Sequence, residues 1–279
     1  MRYPRHVRIA KKKKALTTTD PAVPNTRQPY DMFLVLDVEA TCHLGTDFNY
    51  ANEIIEFPVC LMQWMDKAED GTAATLKVID EFRTFVRPTW RPTLSSFCTE
   101  LTGITQEQVD EAPPFADVLD DMRNFMVKHG LIDPITGQRV KRFCWCSDGP
   151  FDIRDFVVKQ CFISRVPMPD WIQGDVLDVR MSVMHWLSLQ TTQFTIPANR
   201  TMNGAMRRSL NIPAQLKALG LPSFEGRQHS GIDDTRNIAK IITELARRGL
   251  CLQPNTAIYP GRRWQWMGKR GQILEEHLV

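Results

Sequence analysis

The 279-residue chain has no apolar run that approaches the roughly 18 residues needed for a membrane-spanning helix, so no membrane partner is predicted. It also has no CxxC pair, and its seven cysteines are odd in number and scattered, with no secretory leader ahead of them. These absences argue against a zinc knuckle and against a disulfide framework. We therefore expect a soluble protein with free thiols in the cytoplasm, the nucleus or both.

The chain also lacks a strong charge of one sign, because 35 Lys and Arg face 32 Asp and Glu for a net charge of +3. The bulk charge therefore identifies no partner, whereas its distribution is informative. Residues 11–14 are all lysine, and no acid precedes Asp20. Four further basic residues lie near the end, at Arg262, Arg263, Lys269 and Arg270. We expect both terminal regions to be able to meet an anionic polymer.

Hydrophobic periodicity divides the chain into three regions. Residues 1–30 have none, and we predict a basic, disordered arm there. The arm contains no serine, which makes a mitochondrial transit peptide the weaker alternative. Residues 31–250 carry the periodic segments of one domain, interrupted by a polar surface insertion at 188–208. Residues 251–279 form a basic, Trp-containing tail, and the sequence leaves open whether it packs on the domain or binds a protein partner.

The periodic segments predict an α/β domain. Strands are predicted at 32–38, 53–62, 78–86, 139–147 and, as a strand or an extended approach, 171–177. Helices are predicted at 105–109, 115–128, 152–162, 179–187, 211–220 and 233–248. The first three strands are joined by loops, which implies antiparallel pairing, and strands alternate with helices afterwards. We predict a mixed five-stranded sheet with helices on both faces.

Two acids end the first of these strands. Residues 33–36 are all large and apolar, and Asp37 and Glu39 follow directly. Side chains two apart in a strand point to the same face, so these carboxylates would project together. Like charges so close repel unless a cation lies between them. The alternative is a strand that simply ends at the surface with two solvated acids.

Two more acids are placed where helices begin. Asp152 follows a strand and the turn at 148–150, and Asp234 opens the last strong helix. Either one alone fits an ordinary helix cap. Together with the first pair they form an oxygen-rich set suited to two hard divalent cations, Mg²⁺ or Mn²⁺. Two such ions are a known device for cleaving phosphodiesters.

A histidine near the last acid completes this set. His229 lies five residues before Asp234, a spacing that turns the two side chains apart on a helix. We therefore place His229 on the loop ahead of the helix and expect Gly231 to give that loop its freedom. An imidazole there suits a general base near neutral pH. The alternative is an exposed loop histidine with no role.

Four segments carry a resemblance that goes beyond these side chains. They are Asp37-Val38-Glu39-Ala40-Thr41-Cys42, Asn52-Glu53-Ile54-Ile55-Glu56-Phe57-Pro58, Leu101-Thr102-Gly103-Ile104-Thr105 and His229-Ser230-Gly231-Ile232-Asp233-Asp234. With Phe151-Asp152 between them, they resemble the DEDDh exonuclease superfamily and, within it, the Eri1/3′hExo-type 3′–5′ exoribonucleases. The resemblance covers about residues 31–250 and implies an RNase H-like fold.

The resemblance also assigns roles. It implies that Asp37, Glu39, Asp152 and Asp234 hold two Mg²⁺ ions, which Mn²⁺ can replace, and that His229 is the base. It further implies a pocket for the 3′ nucleotide made of Thr41, Phe97, Leu101 and Phe151. Such a pocket stacks a base without reading its identity. The alternative for Phe97 and Leu101 is simple burial in the core.

The predicted activity is Mg²⁺-dependent hydrolysis of RNA from its 3′ end, with release of nucleoside 5′-monophosphates. The family implies roles in RNA processing and RNA interference, with small RNA duplex overhangs, ribosomal RNA and histone message ends as substrates. A 3′–5′ DNA exonuclease on the same fold is one alternative, because the sequence does not reveal a contact to the 2′-OH. A non-catalytic RNA-binding adaptor is the other, and the complete set of acids argues against it.

Overall fold

The computed structural model describes residues 26–193 and 210–278. Most of the predicted basic arm and most of the predicted 188–208 insertion lie outside this described range. Within it, all seven cysteines are free thiols. No helix of the described ranges has the length and apolar composition required to cross a membrane.

The sheet confirms the predicted mixed topology. Its strands are β1 (Met32–Leu36), β2 (Glu39–Ala40), β3 (Ile54–Trp64), β4 (Leu76–Phe85), β5 (Phe143–Ser147) and β6 (Leu177–Asp178). They lie in the order β2-β3-β1-β5-β6. Strand β4 stands outside this order and pairs with β3 along its length. Strands β1, β3 and β4 form the antiparallel meander, whereas β1, β5 and β6 run parallel.

The sheet has six strands rather than the predicted five. The predicted first strand, 32–38, ends at Leu36, and the chain pairs with β3 again at Glu39, opposite Glu56, so β2 is an additional strand that was not predicted. The predicted strand at 171–177 is reduced to its last residue plus Asp178. This short β6 suffices to extend the parallel part of the sheet beside the end of β5.

The helices follow the predicted positions with three differences. They are α1 (Ser96–Thr102), α2 (Gln106–Asp110), α3 (Phe115–Lys128), α4 (Val158–Ile163), α5 (Val179–Gln193), α6 (Ile212–Ala218) and α7 (Gly231–Arg247), and a short 3₁₀ helix spans Glu275–His277. Helix α5 continues beyond residue 187 to Gln193, into the start of the predicted insertion. The short α1 is absent from the sequence prediction, although Ser95 caps its start and Gly103 ends it with a φ of 76°. The helix predicted at 152–162 begins as a π-helix, Asp152–Val157, before it continues as α4.

The alternation of β1 explains why both faces of the sheet are covered. Met32, Leu34 and Leu36 point to the face that α3 covers, where Phe115 and Met122 are buried against them. The intervening side chains of β1 point to the opposite face, which α5, α6 and α7 cover. A strand with no polar residue on either side is typical of a sheet buried on both faces. The prediction of helices on both faces is confirmed.

The terminal regions of the described chain pack on this domain. The Thr26 hydroxyl donates to the Gly249 carbonyl at 2.8 Å, so residues assigned to the arm from sequence already contact the domain. At the other end, Trp266 is buried and its indole donates to the Asn49 carbonyl at 2.7 Å. Trp264 is stacked beside Trp266. The two tryptophans therefore belong to a small core of their own rather than to a free surface.

Candidate active site

The parallel strands β1 and β5 determine where the site lies. Because they run side by side in the same direction, their carboxyl ends meet at one edge of the sheet. Asp37 is the first residue after β1, and Asp148 is the first residue after β5. Glu39 lies just beyond, in β2, and is buried. Three carboxylates are thus delivered to one edge by the sheet alone.

The amino end of α7 brings the fourth acid to this edge by a very close approach. A Cβ atom on Gly231 would lie 2.7 Å from the carbonyl oxygen of Asp37, so only glycine fits between the helix and the end of β1. The Gly231 N–H donates to the buried Glu56 carboxylate at 3.0 Å, which fixes the helix on β3. The first turn of α7 then presents Asp234, which is also buried.

The predicted acids converge. Oxygen atoms of Asp37, Glu39 and Asp234 all lie within 4.8 Å of one another. Asp152 lies beside this trio, because its Oδ1 accepts a 3.0 Å hydrogen bond from the N–H of Val38, the residue between the first two acids. We refer to Asp37, Glu39, Asp152 and Asp234 as the acid cluster. Side chains from widely separated parts of the sequence therefore meet at one place.

The electrostatics of the acid cluster are unfavourable in the absence of a cation. None of its four members forms an ion pair with a basic side chain of the described residues. Burial, followed by repulsion from neighbouring carboxylates, raises the pKa of Asp37 and of Glu39 well above the usual range. Burial is also the main reason that the pKa of Asp152 and of Asp234 is raised to about 7.

The donor set fits hard divalent cations. Every side chain of the acid cluster offers carboxylate oxygens, the ligands that Mg²⁺ and Mn²⁺ prefer. The Oδ2 atom of Asp234 is fully buried and has no hydrogen-bond partner among the residues that the structure describes. A buried carboxylate oxygen without a partner is costly, and a cation at this position would remove that cost.

His229 lies on the loop ahead of α7, as its spacing predicted. The predicted role of Gly231 is wrong in one respect, because the left-handed residue is His229 itself, with a φ of 62°, while Gly231 serves the close approach described above. The loop docks on the end of α1, where the Arg227 guanidinium donates to the Glu100 carbonyl at 2.7 Å. Partial desolvation and then the charge of Arg227 lower the pKa of His229, which favours the neutral imidazole.

The residues of the predicted nucleotide pocket lie around this edge. Phe97 and Leu101 are one helical turn apart on α1, and both are half-buried rather than part of the core. The start of α1 contacts the chain just after Thr41, since the Ser95 hydroxyl donates to the Cys42 carbonyl at 2.6 Å. The Thr41 hydroxyl itself accepts the N–H of Glu53 at 2.9 Å and so also fixes the local backbone.

Phe151, the last predicted pocket residue, directly precedes Asp152 and is half-buried. Its ring is stacked on that of Phe48, with centroids 4.8 Å apart and planes 15° apart. Sequence reasoning missed Phe48, because a stacking partner 103 positions away leaves no local signal.

Sequence reasoning also assigned no role to four charged residues that support the site, the pairs Asp148–Arg180 and Glu56–Arg83. Asp148 forms a 2.7 Å ion pair with Arg180 and adds to the repulsion felt by members of the acid cluster. Glu56 connects β3 to α7 and accepts from Arg83 at 2.7 Å. An acid within the apolar run of β3 was the available signal for Glu56, because such a residue must find a partner when it is buried.

Comparisons with known proteins agree with this geometry. A family model described as exonuclease matches residues 34–138. The Schizosaccharomyces pombe protein named 3′-5′ exonuclease eri1 is 35% identical over 254 residues, which cover 86% of this chain and 74% of that protein. The Mus musculus 3′-5′ exoribonuclease 1 is 32% identical over 236 residues, which cover 84% of this chain but only 58% of the mouse protein.

A solved structure gives the same result in three dimensions. The nuclease domain of 3′hExo, a DEDDh family member bound to rAMP, has a TM-score of 0.68 to this chain at 30% identity. The similarity covers 84% of this chain and 100% of that domain. The RNase H-like fold is therefore confirmed, and the family is one that depends on divalent metal ions. The chain belongs to the Eri1-like 3′–5′ exoribonucleases of the DEDDh exonuclease family.

Proposed function

We propose that this enzyme uses Mg²⁺ to remove nucleotides one at a time from RNA 3′ ends and releases nucleoside 5′-monophosphates. The observation that carries this proposal is the convergence of Asp37, Glu39 and Asp234 oxygens within 4.8 Å, with Asp152 adjacent and no basic side chain of the described residues paired with them. Mn²⁺ would replace Mg²⁺, because the same all-oxygen donor set suits both ions.

The acid cluster would hold the cations. When bound, two divalent cations would lower the pKa of a water molecule and stabilise the charge that develops on the phosphate. The chain positions its carboxylates for this task through rigid elements, since β1 presents Asp37, β2 presents Glu39 and the first turn of α7 presents Asp234. Rigid presentation matters because catalytic groups contribute most when their geometry is set before the substrate binds.

His229 would accept the proton of the attacking water. Its side chain is exposed at the site edge, so it can reach a solvent molecule beside the acid cluster. Its lowered pKa keeps the imidazole in the neutral, proton-accepting form near pH 7. The left-handed backbone at His229 turns this loop immediately before α7 begins, which places base and acids on the same stretch of chain.

The substrate pocket would place the terminal nucleotide against these groups. We assign Thr41, Phe97, Leu101 and Phe151 to it. The last of these is joined by a peptide bond to Asp152, so a base in contact with its ring places the adjoining phosphate near the acid cluster. Stacking of this kind accepts any base, which suits an enzyme that shortens RNA processively or stepwise without sequence preference.

RNA is favoured over DNA by one observation, the rAMP bound to the related nuclease domain.

A digestion panel tests the assignment of RNA as the substrate. The purified chain is incubated in Mg²⁺ with 3′-ended single-stranded RNA, an RNA duplex with a 3′ overhang, an RNA stem-loop and single-stranded DNA. We expect nucleoside 5′-monophosphates from the RNAs with an accessible 3′ end, faster than from DNA.

The panel also separates the competing functions. Equal or faster hydrolysis of DNA would assign the chain to DNA exonucleases, because no contact to the 2′-OH would then be in use. Binding of RNA without any release of mononucleotides in Mg²⁺ or Mn²⁺ would identify a non-catalytic adaptor. The relative rates on the single-stranded RNA, the 3′ overhang and the stem-loop would indicate which class of RNA 3′ end the enzyme processes.

A further inference from the structure

Phe48 is a large aromatic side chain that the chain leaves half in solvent beside the active site. It lies on the loop between β2 and β3, and 52% of its surface is exposed. One face of its ring is stacked on Phe151 at 4.8 Å, and Phe156 approaches it edge-on at 5.7 Å. The exposed half of the ring remains available for contact with a ligand. An exposed phenylalanine at a nucleic-acid site has an evident use, because every base can stack on it.

The backbone that carries Phe48 is held in place by a buried ammonium group. Lys159 of α4 is fully buried, and its Nζ donates to the carbonyls of Phe48 at 2.5 Å and Tyr50 at 2.8 Å, and to the Asn52 side chain at 3.3 Å. The Trp266 indole holds the intervening carbonyl, that of Asn49. Three successive carbonyls of an otherwise exposed loop are therefore held by hydrogen bonds from buried side chains.

This arrangement holds the Phe48 ring in a position that a ligand can reach. A loop whose backbone is already ordered loses little further conformational freedom when its side chain binds a ligand, so a stacking contact keeps most of its free energy. The Arg154 guanidinium lies 5.0 Å from the Phe151 ring centroid, but its charge is paired with Asp155, so the aromatic rings carry the proposed contact. Aromatic faces on which bases stack are usual components of a surface that binds single-stranded nucleic acid.

We propose that Phe48 stacks a nucleobase of the RNA that lies 5′ of the nucleotide being removed. The proposal rests on the function proposed above, in which Phe151 contacts the terminal base. Phe48 covers the ring of Phe151 at stacking distance, so no base fits between the two rings, and its exposed surface lies one ring further from Asp152. The base that meets Phe48 therefore belongs to an upstream nucleotide, and Phe48 contributes to the hold on the remaining strand.

The test compares two substrates that differ in the upstream base. One is a short unstructured RNA, and the other is the p-nitrophenyl ester of uridine 5′-monophosphate, which has the terminal nucleoside and the phosphate but no upstream nucleotide. For Phe48→Ala we expect KM for RNA to rise about 5- to 100-fold, the range measured for the loss of one base–aromatic stack. The loss of kcat/KM for RNA should exceed that for the ester at least about fivefold. Phe48→Trp should restore the RNA KM.

Matched variants keep the outcomes distinct. Ile135→Ala removes an 89% exposed apolar side chain on the loop between α3 and β5, and it should leave both substrates unaffected. If Phe48→Ala weakens hydrolysis of the ester as much as that of RNA, Phe48 only supports the Phe151 ring and the proposal is overturned. An unchanged RNA KM in Phe48→Ala overturns it as well. A wild-type protein that degrades neither RNA nor ester would instead contradict the proposed function, because the comparison between substrates would then have no signal.

Discussion

The buried acids of this protein fall into two groups with opposite surroundings. Asp155 is almost fully buried, yet the guanidinium groups of Arg154 and Arg262 both contact it. Glu53 is fully buried and accepts backbone N–H groups from Thr89 at 2.6 Å and from Arg91 at 2.9 Å. No member of the acid cluster is paired with a basic side chain of the described residues, and Asp152 accepts one N–H, that of Val38. Glu39, Asp152 and Asp234 are also buried, whereas Asp37 is half-buried.

The difference separates structural acids from functional ones. A cation or several N–H donors beside a buried carboxylate stabilise its charged form, and these contacts help to fix the fold. The acid cluster concentrates negative charge with a buried oxygen unsatisfied, an arrangement that destabilises the protein unless an external cation binds. Burial alone therefore does not identify the active site of this chain, whereas a group of acids without basic partners and with few N–H donors does.

The largest effect is expected from removing one charge of the acid cluster. Asp37→Asn keeps the size of the side chain but takes away a cation ligand, so we expect kcat/KM on RNA to fall by at least about 1,000-fold, or about 4 kcal/mol of transition-state stabilisation. Thermal unfolding should show the fold intact, because the change also relieves repulsion with the three other acids. Wild-type rates from purified Asp37→Asn would end the proposed mechanism.

The same substitution in the other group should affect stability instead. Asp155→Asn leaves two guanidinium groups without their carboxylate, and we expect the free energy of unfolding to fall by about 2–3 kcal/mol, less than for fully buried partners because both arginines are partly exposed. Urea unfolding measures this loss. As a control, Asp80→Asn weakens the more exposed contacts of Asp80 with Lys128 and His129 and should cost at most about 1 kcal/mol. Equal losses in the two variants would contradict the distinction.

Removing the general base, His229, should lower the rate of hydrolysis less than removing a cation ligand such as Asp37. For His229→Ala we expect kcat to fall about 100-fold, or about 2.7 kcal/mol, the usual scale for a general base. Single-turnover hydrolysis of RNA in Mg²⁺ provides the measurement, and binding of RNA should persist. A loss below about threefold would show that His229 does not accept the proton.

The sequence was sufficient to identify the acids because their signal is local. Asp37 and Glu39 end an apolar strand, and Asp234 opens an amphipathic helix, so position within an element predicted each of them. The sequence could not show that they meet, because their meeting depends on the parallel pairing of β1 with β5 and on a glycine that lets α7 touch the end of β1. The resemblance to a known family supplied the convergence that spacing could not.

The features that escaped prediction depend on contacts between distant residues. Lys159 reads as an ordinary polar residue of a helix, yet it is fully buried because three oxygen atoms from residues 48–52 surround its ammonium group. The stacking of Phe48 on Phe151 and the packing of Trp266 under the same loop could not be predicted from the sequence for the same reason. Between β1 and β2 the Val38 N–H donates to Asp152 rather than to a strand, which is another long-range contact.

Cation binding should separate the two groups of acids without any chemistry. Because the acid cluster favours the state with bound ions, Mg²⁺ at 100 times its Kd should stabilise the wild type by about 2.7 kcal/mol. Differential scanning calorimetry in EDTA and in Mg²⁺ measures the shift in Tm. Asp37→Asn should lose most of the shift, and Asp155→Asn should keep it despite its lower starting Tm. A full shift in Asp37→Asn would place the cations elsewhere.

The smallest effect is expected from replacing Arg227, the charged neighbour of His229. Arg227 is one of two causes of the lowered pKa of His229, so Arg227→Gln should raise that pKa. Because only the neutral imidazole accepts a proton, the acid limb of the kcat/KM profile should move to higher pH, with rates lost near pH 6 and nearly unchanged near pH 8. Arg227→Lys keeps the charge and should keep the limb near its wild-type position, even though it lacks the guanidinium that donates to Glu100. Coincident profiles for wild type and Arg227→Gln would mean that the acid limb reports a group other than His229.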